Sequence, residues 1–316
     1  GGEIMFFGRL PALLRQTRLL TAQYLSGKRS VAGAPSEPPL TPSRKAWLEV
    51  RGARANNLKN ITVKFPLNSL VCVTGVSGSG KSTLLQDVCY NAIRKLKHKP
   101  VDDPGAYREI RGHDAFSEVV LVDQSPIGKT TRSNPASYVG ALTEIRKVFS
   151  KVPLARERAY GPGAFSFNSG HRCPSCQGNG FEHIEMQFLS DVYLRCPDCR
   201  GTRYREDVLE VRVQGAEVTG NGSKTSEALR SKSIADVLEM TVSEASIFFS
   251  DQPGILRDLE PLQLVGLGYL RLGQPVPTLS GGEAQRLKLA GHLAKSKAAR
   301  RVNAQGTLFL FDEPTT

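Results

Sequence analysis

GVSGSGKST, residues 75 to 83, is the stretch on which the rest of the chain turns. Gly75, Val76, Ser77, Gly78, Ser79, Gly80, Lys81 and Ser82 fit the pattern G-x-x-x-x-G-K-[ST], and Thr83 follows. In a P-loop the glycines let the backbone curl until its N–H groups point at phosphate oxygens. The flanks suit that reading. SLVCVT before it predicts a buried strand, and KSTLLQDVCYNAIRKL after it carries apolar residues at helical spacing. The start of that helix adds its positive end to the phosphate site. Lys81 is expected to reach the β- and γ-phosphates and Ser82 to bind Mg²⁺. An α/β fold with a bound nucleotide is the first expectation.

Such a site needs a second half, an apolar strand ending in a carboxylate, and Thr307-Leu-Phe-Leu-Phe-Asp312-Glu313 has that form. Asp312 would help hold Mg²⁺, and Glu313 could polarise the attacking water. Between these halves, Leu279-Ser-Gly-Gly-Glu283 opens a helix continuing AQRLKLAGHLAK. Ser280 and Glu283 alone spell an ordinary capping box. That is compatible with function, because Ser280, Gly281 and Gly282 at a helix N-terminus also form an anion site. P-loop, LSGG and FDEPTT together resemble the ATP-binding cassette superfamily, whose signature is LSGG followed by Gln or a similar residue. The resemblance implies a P-loop nucleotide-binding domain that hydrolyses ATP with Mg²⁺. It also implies that Gln124, in VDQSPIGKT, senses the metal and the γ-phosphate, and that Ser280 to Gly282 meet a nucleotide.

Four cysteines interrupt this engine. Cys173, Cys176, Cys196 and Cys199 form two C-x₂-C pairs nineteen residues apart, a spacing for tetrahedral Zn²⁺ on thiolates. Each pair carries Pro and then Gly (CPSCQG, CPDCRG), which permits the tight turn around a metal. FEHIEMQFLSDVYL between them alternates well enough for a β-hairpin. Four protein ligands leave no open position, so the zinc is expected to be structural and neither His171 nor His183 to be a ligand. Cys72 and Cys89 stand alone in apolar surroundings and are expected in the core.

Composition bounds the rest. The 316 residues carry 40% hydrophobic side chains and a formal charge of +12. No apolar run approaches the ~18–20 residues of a membrane span. IMFFGRLPALL is broken by Arg9 and Pro11 and lacks a cleavage site, so a signal peptide is rejected and a cytoplasmic protein without a membrane partner is expected. Positive charge concentrates in 1–45, 129–158 and 286–301, with seven, seven and six Lys/Arg against two, two and no acids. Either a polyanionic partner or a solvated basic surface would account for that. Residues 172–205 are nearly neutral, with five Arg against four acids, which favours a shaped hairpin over an electrostatic clamp. The first residue is Gly and the last six are FDEPTT, which reads as a piece of a longer protein. The expected organisation is 1–30 closing a preceding nucleotide-binding domain, a Pro-rich linker at 31–44, and an ATP-binding segment at 45–165. A zinc module at 166–213, a flexible loop at 214–231, and a signature segment with its strand at 232–316 complete it. Helices are expected in IADVLEM with SEASIFF, in ILRDLEPLQLV and near 281–295, and paired strands in WLEVRGARANNLKNITVKF.

A P-loop and signature separated by an inserted four-cysteine module is similar to the UvrA family, the damage-recognition ATPases of bacterial nucleotide excision repair. RGARANNLKNI, DQSPIGKTTRSNPASYVG, GPGAFSFN, EMQFLSDVYLRC, KSIADVLEMTVSEA and VGLGYLRLGQPVPTLSGGEAQRLKLA carry the resemblance over most of 45–316. Residues 214–231 depart from it as an insertion. The resemblance implies damaged double-stranded DNA as substrate, a second copy as a homodimer, and a UvrB-like partner bound through an N-terminal half outside this chain. It also implies that the P-loop of one half faces the signature of the other, so that an isolated fragment hydrolyses little. A transporter ATPase fits the P-loop and signature but not the zinc insertion or the basic surface. A paralogue acting in ribosome or drug protection would share every motif. A zinc interaction module with a dead nucleotide site is disfavoured by Lys81, Ser82, Asp312 and Glu313.

Overall fold

The computed structural model describes residues 5–16, 18–29, 46–125, 127–128, 130–184, 192–216, 231–299 and 306–313, without the side chains of His183 and 296–299. Two compact units are distinguished, residues 1–48 with 65–71, and residues 49–64 with 72–316. The first holds two short helices, α1 (Leu10–Leu14) and α2 (Leu20–Leu25). Among the described residues no helix is long and apolar enough to cross a membrane.

The paired strands expected around ARANNLKN are β1 (Trp47–Ala53) and β2 (Ile61–Pro66), in a sheet of order β2-β1-β3 with β3 at Glu109–Arg111. β1 runs antiparallel to β3, with Val50 opposite Ile110. A second sheet pairs β4 (Phe116–Val122) in parallel with β9 (Gly306–Phe311), the apolar run that ends at Asp312. Their register aligns Val122 with Phe311, so both chains leave the sheet at the same end. Parallel strands joined through distant sequence put their carboxyl ends, and whatever follows them, side by side.

The helix after the P-loop forms where its periodicity placed it, but with a different winding. Thr83–Tyr90 is π-helical and continues into α3 (Asn91–Leu96), with Leu84, Val88, Cys89, Ala92 and Ile93 buried. The strand expected just before it is not there. Residues 70–76 take no regular structure, and Leu70 is 97% exposed. An apolar run becomes a strand only where a neighbour satisfies its N–H and C=O groups. The strands described pair elsewhere: β4 with β9, and the other ladders among themselves. Cys72, expected in the core, is therefore exposed, whereas Cys89 is buried and its thiol pushed up to about 12 by that burial.

The largest core belongs to the helical body. It is built from α4 (Pro135–Val139), α5 (Ala141–Ser150), α6 (Pro153–Glu157), α7 (Glu206–Leu209), α8 (Ile234–Glu239), α9 (Val242–Phe248), α10 (Pro253–Leu264) and α11 (Gly281–Ala299). Asn134, Ser233 and Thr241 each close a capping box with the residue three further on, which satisfies two N–H groups at the start of each of three short helices. Phe149, Phe165, Phe249, Leu259 and Leu262 fill the centre. The expected hairpin appears as β5 (Phe181–Ile184) antiparallel to β6 (Val192–Arg195), its tip lying outside the described residues. Most of the loop expected at 214–231, residues 217–230, lies outside the described residues. Gln214 in β7 (Arg212–Gln214) pairs with Ser231 in β8 (Ser231–Ser233).

Candidate functional site

Gly80 shows why the loop's sequence is so restricted. It sits at φ +94°, and a methyl on it would lie 2.8 Å from Asn57 Oδ1 and 2.9 Å from Leu58 Cδ2. Only glycine fits a left-handed position under such close approach. Asn57 Nδ2 donates to the Gly78 carbonyl at 2.5 Å, and Asn56 Nδ2 to Thr83 Oγ1 at 3.2 Å. The turn between β1 and β2 thus braces the glycine-rich loop from one side. Lys81 folds back, its Nζ donating to the Gly75 and Val76 carbonyls at 2.9 Å each. An ammonium held this way would exchange two neutral acceptors for charged ones if a phosphate entered, a favourable trade. Ser77, Ser79 and Ser82 lie on the exposed rim of the same loop.

Asp312 comes to this loop from the far end of the sequence. Gln86, on the π-helical turn after Thr83, donates to Asp312 Oδ2 at 2.7 Å. Asp312 N–H in turn donates to the Val122 carbonyl at 3.2 Å, which fixes the residue to the end of β4. Gln124, two residues beyond β4, donates through Nε2 to the Glu313 carbonyl at 3.3 Å. Glu313 is exposed and left-handed at φ +45°. The structure therefore brings Gln124, Asp312 and Glu313 together at the carboxyl ends of β4 and β9.

The LSGGE helix packs on the same strand ends. Gln285, buried on α11, donates to the Val122 carbonyl at 3.0 Å and to the Asp312 carbonyl at 2.7 Å. Lys288, one turn on, donates to the Asp123 carboxylate, to the Asp123 carbonyl at 3.1 Å and to Ser125 Oγ at 2.6 Å. Burial pushes the Asp123 carboxyl up, but the Lys288 and Ser125 bonds outweigh it and hold it below the usual range. The expected capping box is present: Ser280 N–H donates to Glu283 Oε2 at 2.8 Å, and Glu283 N–H to Ser280 Oγ at 3.3 Å. Glu283 also accepts from Tyr269 at 2.8 Å. Gly281 lies against Gln124, where a methyl would come within 3.1 Å of Oε1. Gly282 follows in the first turn of α11.

The sulfur atoms of Cys173, Cys176, Cys196 and Cys199 all lie within 4.8 Å of one another, with Cys176 and Cys199 3.6 Å apart. A tetrahedral site with Zn–S bonds of ~2.3 Å needs sulfurs about 3.8 Å apart. The residues fit the metal. Three of the thiols are buried and Cys199 is partly so. Gly180 N–H donates to Cys176 Sγ at 3.2 Å. Burial pushes the Cys176 thiol up to about 12, so a cation is what would ionise it.

Sequence reasoning missed the groups that join these parts. Asn56, Asn57, Gln86, Gln285 and Lys288 carry no motif of their own, and their partners lie tens to hundreds of residues away. Two arginines were likewise read only as charge. Arg132, counted in the basic stretch 129–158, donates to Asn179 Oδ1 at 3.0 Å, to the Gln177 carbonyl at 2.9 Å and to Asn168 Oδ1 at 3.3 Å, all around the first cysteine pair. Arg203, four residues past Cys199, is buried.

No family model matches the chain. Along its whole length it is 47% identical, over 317 residues, to UvrABC system protein A of Thermus thermophilus, and 47% identical, over 320 residues, to the protein of that name in Clostridium perfringens. Against the Escherichia coli K12 protein of the same name the identity is 44% over 318 residues. In each case the chain spans 31% of the relative's length, about a third. The crystal structure of UvrA2 from Deinococcus radiodurans aligns with all of the chain and 35% of its own, at TM-score 0.78 and 44% identity.

Proposed function

We propose, on the premise that this chain belongs to the UvrA family, that it supplies one ATP-binding half and one zinc-supported DNA-facing element of a DNA damage-recognition ATPase of nucleotide excision repair. The observation that carries this reading is the 2.7 Å hydrogen bond from Gln86 to Asp312. It sets the carboxylate of an apolar strand beside the helix of a glycine-rich loop, the pairing a P-loop ATPase needs.

In this reading the backbone N–H groups of Gly75 to Thr83 receive the phosphates, and Lys81 leaves the Gly75 and Val76 carbonyls to pair with the β- and γ-oxygens. Ser82 and Asp312 would hold Mg²⁺, which when bound screens the phosphate charge. Glu313 accepts a proton from, or orients, the attacking water, and Gln124, anchored on the Glu313 backbone, reports the γ-phosphate to the start of α11. The N-terminus of α11, with Ser280, Gly281 and Gly282, is aimed at a nucleotide held by the P-loop of another nucleotide-binding half. Cys173, Cys176, Cys196 and Cys199 would hold a structural Zn²⁺ that fixes the β5–β6 hairpin near damaged duplex. A cytoplasmic protein, a homodimer and a UvrB-like partner complete the proposal, with domains as drawn from the sequence.

The test is duplex DNA affinity of the intact protein, with and without a lesion, at fixed salt and with or without ATP and Mg²⁺. Tighter lesion binding that depends on ATP, lost in Lys81→Ala, is expected. Equal affinity for damaged and undamaged duplex in every nucleotide state would refute it. Capture of a UvrB-type partner separates excision repair from a paralogue with another duty.

A further inference from the structure

Arg203 is 2% exposed, which makes it the largest fully buried side chain among the described residues. Its backbone belongs to the cysteine knot: its N–H donates to Cys199 sulfur, and its carbonyl accepts from Cys173 N–H at 2.9 Å. Its guanidinium goes elsewhere. Nη1 donates to the Thr131 carbonyl at 3.0 Å and Nη2 to the Gly273 carbonyl at 2.9 Å. The cation lies over the Phe167 ring, 4.8 Å from its centre, and 5.7 Å from that of Phe181. Gly180 is at φ +73°, and a methyl there would fall 2.7 Å from Arg203 Cγ.

Thr131 lies in the connection that leaves Gln124, and Gly273 in the connection that leads to Ser280, each seven residues from that site residue. The two connections are laced to one another. Val276 N–H donates to the Ser133 carbonyl at 2.9 Å, and Ala136 N–H to the Leu272 carbonyl at 3.2 Å. From the first connection Arg132 reaches the opposite way, into the first cysteine pair at Gln177 and Asn179. The knot and the two connections are thus clasped from both sides by arginines.

A buried guanidinium is costly unless its surroundings compensate. Here two carbonyls and two aromatic faces do so. Four thiolates around a divalent cation would carry a net charge of −2, and Arg203 is then the adjoining countercharge. Counterbalance alone would be served by any cation. Only a planar fork can bond two carbonyls from segments well over a hundred residues apart while stacked on a ring.

We propose that Arg203 is a positioning residue: it fixes the connections leaving Gln124 and entering the LSGG helix to the cysteine knot, so that the state of the knot sets the geometry of the γ-phosphate side of the nucleotide site. The kinetic part of this rests on the functional reading above; the structural part does not. The P-loop makes none of these contacts, so ground-state nucleotide binding is spared and the chemical step is not.

The experiment compares the intact protein with Arg203→Lys and Arg203→Met, with zinc content checked first. Both variants are expected to keep the zinc content of the unmodified protein and a KM for ATP within about twofold, while kcat falls at least about fivefold, and Lys is not expected to rescue. Hydrogen exchange in the zinc-loaded Lys variant should quicken at 130–136 and 270–277 together, and not along 84–96. Unchanged kcat with zinc retained overturns the proposal, and so does full rescue by Lys, which would reduce Arg203 to a countercharge. Loss of zinc in the Lys variant also overturns it, since Arg203 would then serve only the knot. An unmodified protein that turns over no ATP counts against the functional reading instead. Hydrogen exchange then decides the proposal, and unchanged exchange in either connection refutes it.

Discussion

Replacing Lys288 with Met removes the ammonium that ties α11 to the segment before Gln124, while keeping most of the stem's volume. Three acceptors lose their donor: the Asp123 carboxylate, the Asp123 carbonyl and Ser125 Oγ. Hydrogen bonds to charged groups contribute about 1.5–3 kcal/mol, and exposed ion pairs contribute about 1 kcal/mol or less. The two side chains are 15% and 31% exposed, between those cases, so a loss of about 1–2 kcal/mol is expected. In units of roughly 150–250 residues each kcal/mol moves the melting temperature by about 2–4 °C, which gives a drop of about 2–8 °C at pH 7. The pH dependence carries the sharper test. Asp123 has its carboxyl held below the ordinary range when folded, so the pair's stabilisation is complete above the unfolded value of about 3.9. It is lost as pH falls through the folded value. Differential scanning calorimetry of both proteins from pH 7 downward should therefore show a gap that is constant at pH 6–7 and closes below about pH 4. A gap that is absent at pH 7, or that widens on acidification, refutes the reasoning.

Cys196→Ser should lower bound zinc by one equivalent and loosen the β5–β6 hairpin, read by elemental analysis and by amide exchange at 181–184 and 192–195, because metal binding supplies folding free energy there. Cys72→Ser should leave zinc unchanged, since Cys72 is exposed and outside the four-sulfur cluster. Duplex DNA affinity of the intact protein should fall about 10–100-fold between 50 and 200 mM salt. Affinity that ignores ionic strength would remove the phosphate contacts from the account.

Local patterns were legible where a residue's role depends on near neighbours. The cysteine spacing, the capping box of Ser280 and Glu283, the helical periodicity of 234–264 and the apolar run ending at Asp312 all rest on short-range geometry. SLVCVT failed because a strand is made by its neighbour, and none of the described strands lies beside residues 70–76. That also reversed the expectation for Cys72. The basic stretches hold charges of more than one kind. Arg132, Lys147 and Arg158 in 129–158 are committed to the first cysteine pair, Glu144 and Glu210, and Lys288 in 286–301 is committed to Asp123. Counting charge cannot tell an arginine that meets a partner from one that clasps its own chain. Arg203 is the clearest case, because four residues past Cys199 it reads as surface charge and is buried.

The most direct test of the central claim is binding of ATP with Mg²⁺ to this chain and to its Lys81→Ala variant, with phosphate release followed in the same samples. The account expects weak binding that falls at least about tenfold in the variant, as the loss of a charge-assisted contact to phosphate requires. It also expects turnover far below about 1 s⁻¹, the low end of ordinary enzyme rates, because under the proposed function the N-terminus of α11 serves the nucleotide of another half. Binding indifferent to Lys81 would contradict the phosphate site, and Lys81-dependent turnover near about 1 s⁻¹ would contradict its completion by a second half.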